Sequence, residues 1–195
     1  YDNNRKLPKD VMPAVMKNIA KMEKKTGKKW NSTKNPLLVS VRSGAAISMP
    51  GMMDTILNLG LNEKTVEGFA EQTKNPRFSW DSYRRFIQLF GKVVFGVNDE
   101  KFDHVLDSAK KKQGVTDDSK LNVESLKKIV SEYKKICEKH TKRKFPDTPD
   151  EQLVLSIEAV FKSWMGERAI VYREKNNITK DIANGTAVNV VTMVF

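Results

Sequence analysis

Apolar residues recur at helical spacing after Asp10, at Val11, Val15, Ile19 and Met22, and Gly27 among lysines closes the segment. That spacing predicts a first helix. The period changes after Pro36, where Leu37-Leu38-Val39-Ser40-Val41-Arg42 is short, apolar and β-branched. This predicts a strand buried at least along Leu37, Val39 and Val41, with Arg42 at its end on the opposite face. Ser43 to Gly51 mixes Gly, Ala, Ser and Pro without a period and reads as a loop, after which Asp54 to Leu61 resumes an apolar pattern.

From about Asn62 to Phe145 no strand pattern appears. Trp80, Tyr83, Phe86, Ile87, Phe90 and Val94 share one helical face after Pro76, with Ser79 as the capping candidate. A second stretch carries Phe102, Val105, Leu106 and Ala109, and a third carries Leu126, Ile129, Val130, Tyr133, Ile136 and Cys137 with lysines and glutamates opposite. Together they predict a helical subdomain with a core of its own, its aromatic stripe spaced for packing rather than for base stacking. Thr148-Pro149-Asp150-Glu151 has a threonine cap, proline at the first helical position and a glutamate three residues after the cap. The helix it starts is expected to bury Leu153, Ile157, Val160, Phe161 and Trp164. Arg168 to Arg173 fits either a strand or a further helical turn. Asn184-Gly185 turns the chain into a closing strand in which Val188, Val190, Thr192 and Val194 alternate with Ala187, Asn189, Val191 and Met193. Strands at both ends around a helical middle make the class α+β.

A chain of 195 residues with 39% hydrophobic content can bury a real core. Its formal charge of +11 is mostly lysine, at Lys110 to Lys112, Lys127 to Lys128 and Lys134 to Lys135, always interrupted by acids or apolar residues. That is the pattern of solvated helix faces, and it argues against a dedicated nucleic-acid role. The charge still favours anionic ligands as a long-range, salt-sensitive effect. Cys137 is the single cysteine, which suits a reducing, cytoplasmic setting, and His104 and His140 lie on lysine-rich segments as surface residues. No apolar run approaches the ~20 residues that span a bilayer, and no signal-peptide pattern opens the chain. A first residue Tyr1 in place of Met, and a strand that stops on Phe195, read as the ends of a piece of something longer.

The window richest in chemistry is VSVRSGAAISMPGMMDTILNLGLN, Val39 to Asn62. An arginine at a strand end, followed by a loop of small residues with two glycines, suits a polyphosphate: backbone N–H groups approach it closely and a guanidinium stays charged beside it. The window matches neither GxxxxGK[ST] nor GxGxxG. Taken whole, it resembles the ATP-binding domain of the pyruvate phosphate dikinase family. The resemblance continues through NPRFSWDSYRRFIQLFGKVV (Asn75 to Val94), AVFKSW and RAIVYR (within Ala159 to Arg173) and GTAVNVVTMVF (Gly185 to Phe195). Phosphoenolpyruvate synthases and rifampicin phosphotransferases share a looser form, with Val-Arg-Ser-Ser and Gly-Gln-Gln-Asp-Thr, whereas Ser-Met-Pro-Gly-Met-Met-Asp-Thr at Ser48 to Thr55 is dikinase-like.

The resemblance implies part of an ATP-grasp subdomain at residues 1–61 and 146–195, interrupted by the helical subdomain at 62–145. It implies a phosphotransferase that uses ATP and Mg²⁺ to phosphorylate a histidine on a separate carrier domain, within a parent enzyme that is a homodimer. Arg42 then matches the arginine on the ATP phosphates and is the catalytic candidate. Gly51 matches a loop glycine whose backbone lies at the phosphates, and Thr55 a hydroxyl residue on the same loop; as residues alone they read equally as a turn glycine and a helix cap. Ser43, Gly44 and Met53 shape the loop. Val191 stands where the family usually has a glutamine facing the nucleotide. The family's lysine-bearing Gly-rich segment falls upstream of this sequence and its metal-binding carboxylates downstream, so the piece alone is expected to be inactive. Plastid or glycosomal forms of such enzymes are compatible with the sequence. The rival readings are a phosphoenolpyruvate synthase-type enzyme and a non-catalytic basic binding module.

Overall fold

A computed structural model describes residues 6–195, so the reading attached to Tyr1 lies outside the described residues. The chain is α+β, with three strands and seven α-helices among those residues. Helix α1, Val11–Thr26, ends at Gly27, whose φ of 71° is the left-handed conformation that glycine takes without penalty. Strand β1, Val39–Ala45, starts later than its apolar run and continues three residues past Arg42. Strand β2, Thr55–Leu59, returns beside it as a hairpin. Helices α2, Thr65–Thr73, α3, Pro76–Val93, α4, Asp99–Gln113, and α5, Val123–Thr141, fill the middle of the chain. Helices α6, Pro149–Ser163, and α7, Glu167–Lys175, lead to strand β3, Thr186–Thr192.

The sheet order is β2-β1-β3, with both pairings antiparallel. The central position of β1 explains its length: Ser43, Gly44 and Ala45 pair only with Val188, Ala187 and Thr186 of β3. It also explains why Leu37 through Val41 are buried on both faces rather than one. A bulge in β2 sits between the pairs Val39–Leu59 and Val41–Ile56, and Asn58 there has a φ of 58°.

Local capping chemistry decides the helix starts. The Thr148 hydroxyl accepts from the Glu151 N–H at 3.3 Å, with Pro149 in the first turn, as the sequence predicts. Helix α3 is capped by Asn75, whose carboxamide oxygen accepts from the Phe78 N–H at 3.0 Å. Ser79 instead lies inside that helix, buried, with its hydroxyl 3.0 Å from Thr73 Oγ1. Residues 168–173 are helical. In α6 the inward stripe is Leu153, Ile157, Val160 and Trp164, which leaves Phe161 on the flank at 39% exposed, not buried as expected. Val194 lies past the end of β3 and is exposed.

The apolar core of the helical middle is continuous with that of the sheet. One apolar cluster runs from Leu37, Val39, Val41, Ile56 and Leu59 through Tyr83, Phe86 and Phe90 to Phe102 and Tyr133. Helices α3 and α6 lie against the sheet, while α4 and α5 pack on α3. Buried Gln152 ties the two ends of this arrangement: its oxygen accepts from Gly60 N–H at 3.0 Å, and its nitrogen donates to the Leu61 and Pro146 carbonyls at 3.0 and 3.1 Å. Among the described residues no helix is long and apolar enough to cross a membrane.

Candidate functional site

The register of the sheet places a polar row across its exposed face. Arg42 on β1 lies opposite Thr55 on one side and opposite Asn189 on the other. Residues directly opposite in antiparallel strands project to the same face, with Cβ atoms ~5 Å apart. The row therefore offers a hydroxyl, a guanidinium and a carboxamide in line. Arg42 is exposed, and its Nε donates to the hydroxyl of Ser40 at 3.1 Å. Ser40 is fully buried two residues earlier on the same face, so it steadies the root of the side chain while the outer guanidinium nitrogens stay available. Among the described residues no carboxylate forms an ion pair with Arg42.

The β1–β2 connection, residues 46–54, rises from the same end of the sheet, because it ends at Thr55, the residue opposite Arg42. A second apolar cluster holds it down. Met49, at 6% exposed, packs with Trp164 and Ala183, flanked by Ala45, Met52, Met53, Tyr172 and Ile178. Trp164 is itself held from above by Arg173, whose guanidinium lies 4.1 Å from the indole centroid and donates to the Trp164 carbonyl at 2.7 Å. The Ser163 hydroxyl donates to the Val160 carbonyl at 2.7 Å and accepts from the Asp54 N–H at 3.4 Å, fixing the loop's far end. Met53 thus does shape the loop, together with Met49 and Met52.

Gly51 is exposed at the turn of this loop with φ 73°, and a Cβ there would meet nothing within 4 Å. Its requirement for glycine is conformational. Thr55 opens a strand; it neither caps a helix nor belongs to the loop. Ser43 projects to the opposite face from Arg42, since it pairs with Val188, whose side chain packs against the main core. Val191, 43% exposed, lies opposite Ser40 on the polar row's face. His104 and His140 are exposed on α4 and α5 and take no part. Burial pushes the Asp54 carboxyl above its ordinary pKa, against the opposing pull of Arg168 and Lys92.

Three contributors escape a reading by motif: Ser40, Asn189 and Trp164. Ser40 has a signal in hindsight, because period-2 spacing puts it on Arg42's face. Asn189 and Trp164 reach the site only through strand order and packing. Among the described residues no group of three or more His, Cys, Asp or Glu side chains is placed to hold a metal ion.

The family profile described as "Pyruvate phosphate dikinase, AMP/ATP-binding domain" matches residues 3–195. The chain is 52% identical over 193 residues to the pyruvate, phosphate dikinase of Entamoeba histolytica, covering 99% of this chain and 22% of that protein. It is 50% identical to the enzyme of that name from Giardia intestinalis, with 100% and 22% covered, and 47% identical to that of Clostridium symbiosum, again with 100% and 22% covered. The chain thus spans about a fifth of the length of these relatives. The chain belongs to the pyruvate phosphate dikinase AMP/ATP-binding domain family.

Proposed function

We propose that this chain is the part of a pyruvate, phosphate dikinase that faces the phosphates of ATP. The observation that carries the reading is Arg42: an exposed guanidinium without an ion-pair partner among the described residues, rooted by Ser40 and set between Thr55 and Asn189 at the end of the sheet from which a glycine-bearing loop leaves. A planar, permanently charged fork can grip phosphate oxygens with two parallel hydrogen bonds and stabilise charge on a group in transfer. Gly51 contributes open backbone on the loop, and Thr55 a hydroxyl donor.

The wider assignment follows the family. The parent converts ATP, pyruvate and inorganic phosphate to AMP, phosphoenolpyruvate and diphosphate. The β-phosphoryl group passes to a histidine on a carrier domain and phosphate takes the γ-phosphoryl group; the carrier then phosphorylates pyruvate. On this chain the fold would be one part of an ATP-grasp unit, at 1–61 and 146–195, with helical residues 62–145 inserted between its strands. The carrier domain and a second copy of the parent are its partners. Mg²⁺ does not fit the residues present, since the site's donors are a guanidinium, a hydroxyl and a carboxamide, and among the described residues no cluster of three or more His, Cys, Asp or Glu side chains could hold it. Its ligands belong to the nucleotide's phosphates and to residues outside this sequence. A cytoplasmic location is the reading for this chain; one relative, from Arabidopsis thaliana, is named as chloroplastic.

Trp164 lies under the loop and reports on it. ATP added to the chain should change tryptophan emission saturably. The change should vanish in Trp164→Phe, and in Arg42→Lys it should require several-fold more ATP, because lysine keeps the charge and loses the fork. An equal response to ATP in Arg42→Lys and the unsubstituted chain refutes the assignment of Arg42.

A further inference from the structure

We propose that Asn189 is a second ligand-contacting residue of this site, and that Gly44 lacks a side chain in order to hold the Asn189 carboxamide beside Arg42. The inference rests on the nucleotide reading and adds to it a donor and a positioning residue.

Three observations converge. First, Asn189 is directly opposite Arg42 in the β1–β3 ladder, on the exposed face of the sheet. Second, its side chain makes no hydrogen bond or ion pair to any described residue, although it sits among residues whose polar side chains are engaged: Arg42 with Ser40, and Thr186 accepting from Gly44 N–H at 3.3 Å. Third, it is not free to wander. A Cβ on Gly44 would stand 2.5 Å from Asn189 Nδ2 and 3.3 Å from its Cγ, with Ala187 Cβ at 3.6 Å on the other side. The carboxamide nitrogen therefore occupies the space that a side chain on Gly44 would take, diagonal to its own cross-strand partner. Gly44 has no positive φ to account for a glycine, so the space above it is the requirement.

An amide placed this way presents an Nδ2 donor on the same face of the sheet as Arg42, on the side away from Thr55. Together Thr55, Arg42 and Asn189 form a row of donors, Arg42 through its outer guanidinium nitrogens beyond the bond to Ser40, long enough to follow a polyphosphate rather than cup a single anion. A neutral donor suits that place, because it adds a hydrogen bond without competing for the charge that Arg42 already neutralises. An aspartate there would instead pair with Arg42 and repel phosphate.

The test is a nuclear magnetic resonance titration of the chain with ATP, followed in the ¹H–¹⁵N correlation spectrum, where the Asn189 side-chain amide pair is assigned by its loss in Asn189→Ala. That pair should shift with ATP along the same saturation curve as the backbone signals of residues 42–51. Asn189→Ala should weaken binding about five- to tenfold, and Asn189→Asp should weaken it further. Gly44→Ala should cost as much as Asn189→Ala, with the double variant no worse than either, because both remove one contact. Thermal melting of each variant separates this from misfolding: a variant that melts with the unsubstituted chain and binds weakly supports the proposal. If Arg42→Ala abolishes binding while the Asn189 amide stays unshifted and Asn189→Ala binds normally, the proposal is overturned and the nucleotide reading stands. If Arg42→Ala also binds normally, both fall.

Discussion

Replacing Met49 by alanine tests whether the methionine cluster holds the loop against the body of the protein. Met49 is 6% exposed and belongs to a satellite cluster with Trp164 and Ala183, apart from the main core. Truncating a buried methionine costs about 2–5 kcal/mol, and the figure falls where the surroundings can collapse into the space. Here the neighbours Met52, Met53 and Tyr172 are only partly buried, and methionine side chains re-pack easily, so the lower end applies: about 2 kcal/mol. For a chain of this size each kcal/mol moves the melting temperature by about 2–4 °C, which gives a fall of about 4–8 °C. Met49→Leu keeps the volume and should cost less than about 1.5 kcal/mol. Calorimetric melting of the three proteins decides. If Met49→Ala melts within about 1 °C of the unsubstituted chain, the loop is not fixed by this cluster.

Other sites give independent tests. Lys134 donates to Glu63 at 3.0 Å and to Asp147 at 3.1 Å, joining α5 to the segments before α2 and α6. Burial opposes its charge, but Tyr83, Glu63 and Asp147 outweigh that and raise its pKa, so its contribution is complete below the ordinary lysine value of about 10.4 and is lost as pH rises through the higher folded value. Lys134→Met should therefore lose about 1 kcal/mol evenly across neutral pH, with the gap to the parent chain closing only in strong alkali; a gap that already closes by neutral pH contradicts this. Asp54 has the opposite sense, because its carboxyl is raised by burial: stability falls as pH climbs from the ordinary value of about 3.9 through the folded one. Asp54→Asn should melt higher than the parent at neutral pH and equal to it in acid, and a lower melting point at neutral pH would disprove the reasoning. Gly68→Ala should be strongly destabilising, since its Cβ would stand 2.1 Å from the Thr33 carbonyl oxygen; normal melting would show that the α2 backbone does not lie against that loop.

What the sequence shows of this fold divides by range. The Thr148-Pro149-Glu151 start of α6 and the Gly27 end of α1 are local chemistry and are legible directly. Asn75-Pro76 carries the same cap-then-proline signal, and Asn75 rather than Ser79 caps α3. Period-2 spacing places Arg42 opposite Val41's face, yet its neighbours across the sheet come from β2 and from β3, at the far end of the chain. No local pattern reveals that β1 is the central strand, and so neither its extension to Ala45 nor the burial of both its faces could be read from it. For the same reason Thr55 looked like part of the loop, and Asn189 like one more residue of an alternating strand. The loop's methionines carry their meaning only once Trp164, brought by α6, is seen packed with Met49. The helical middle looked self-contained because its apolar stripes are complete in themselves, whereas the sheet's Val39, Val41 and Ile56 complete the same core.

The most direct test of the central claim is calorimetric titration of Mg·ATP into the chain and into Arg42→Ala at low and physiological salt. Weak binding that is lost in Arg42→Ala, with only modest dependence on salt, is the result expected if this guanidinium grips the phosphates. Equal binding to both proteins would contradict it.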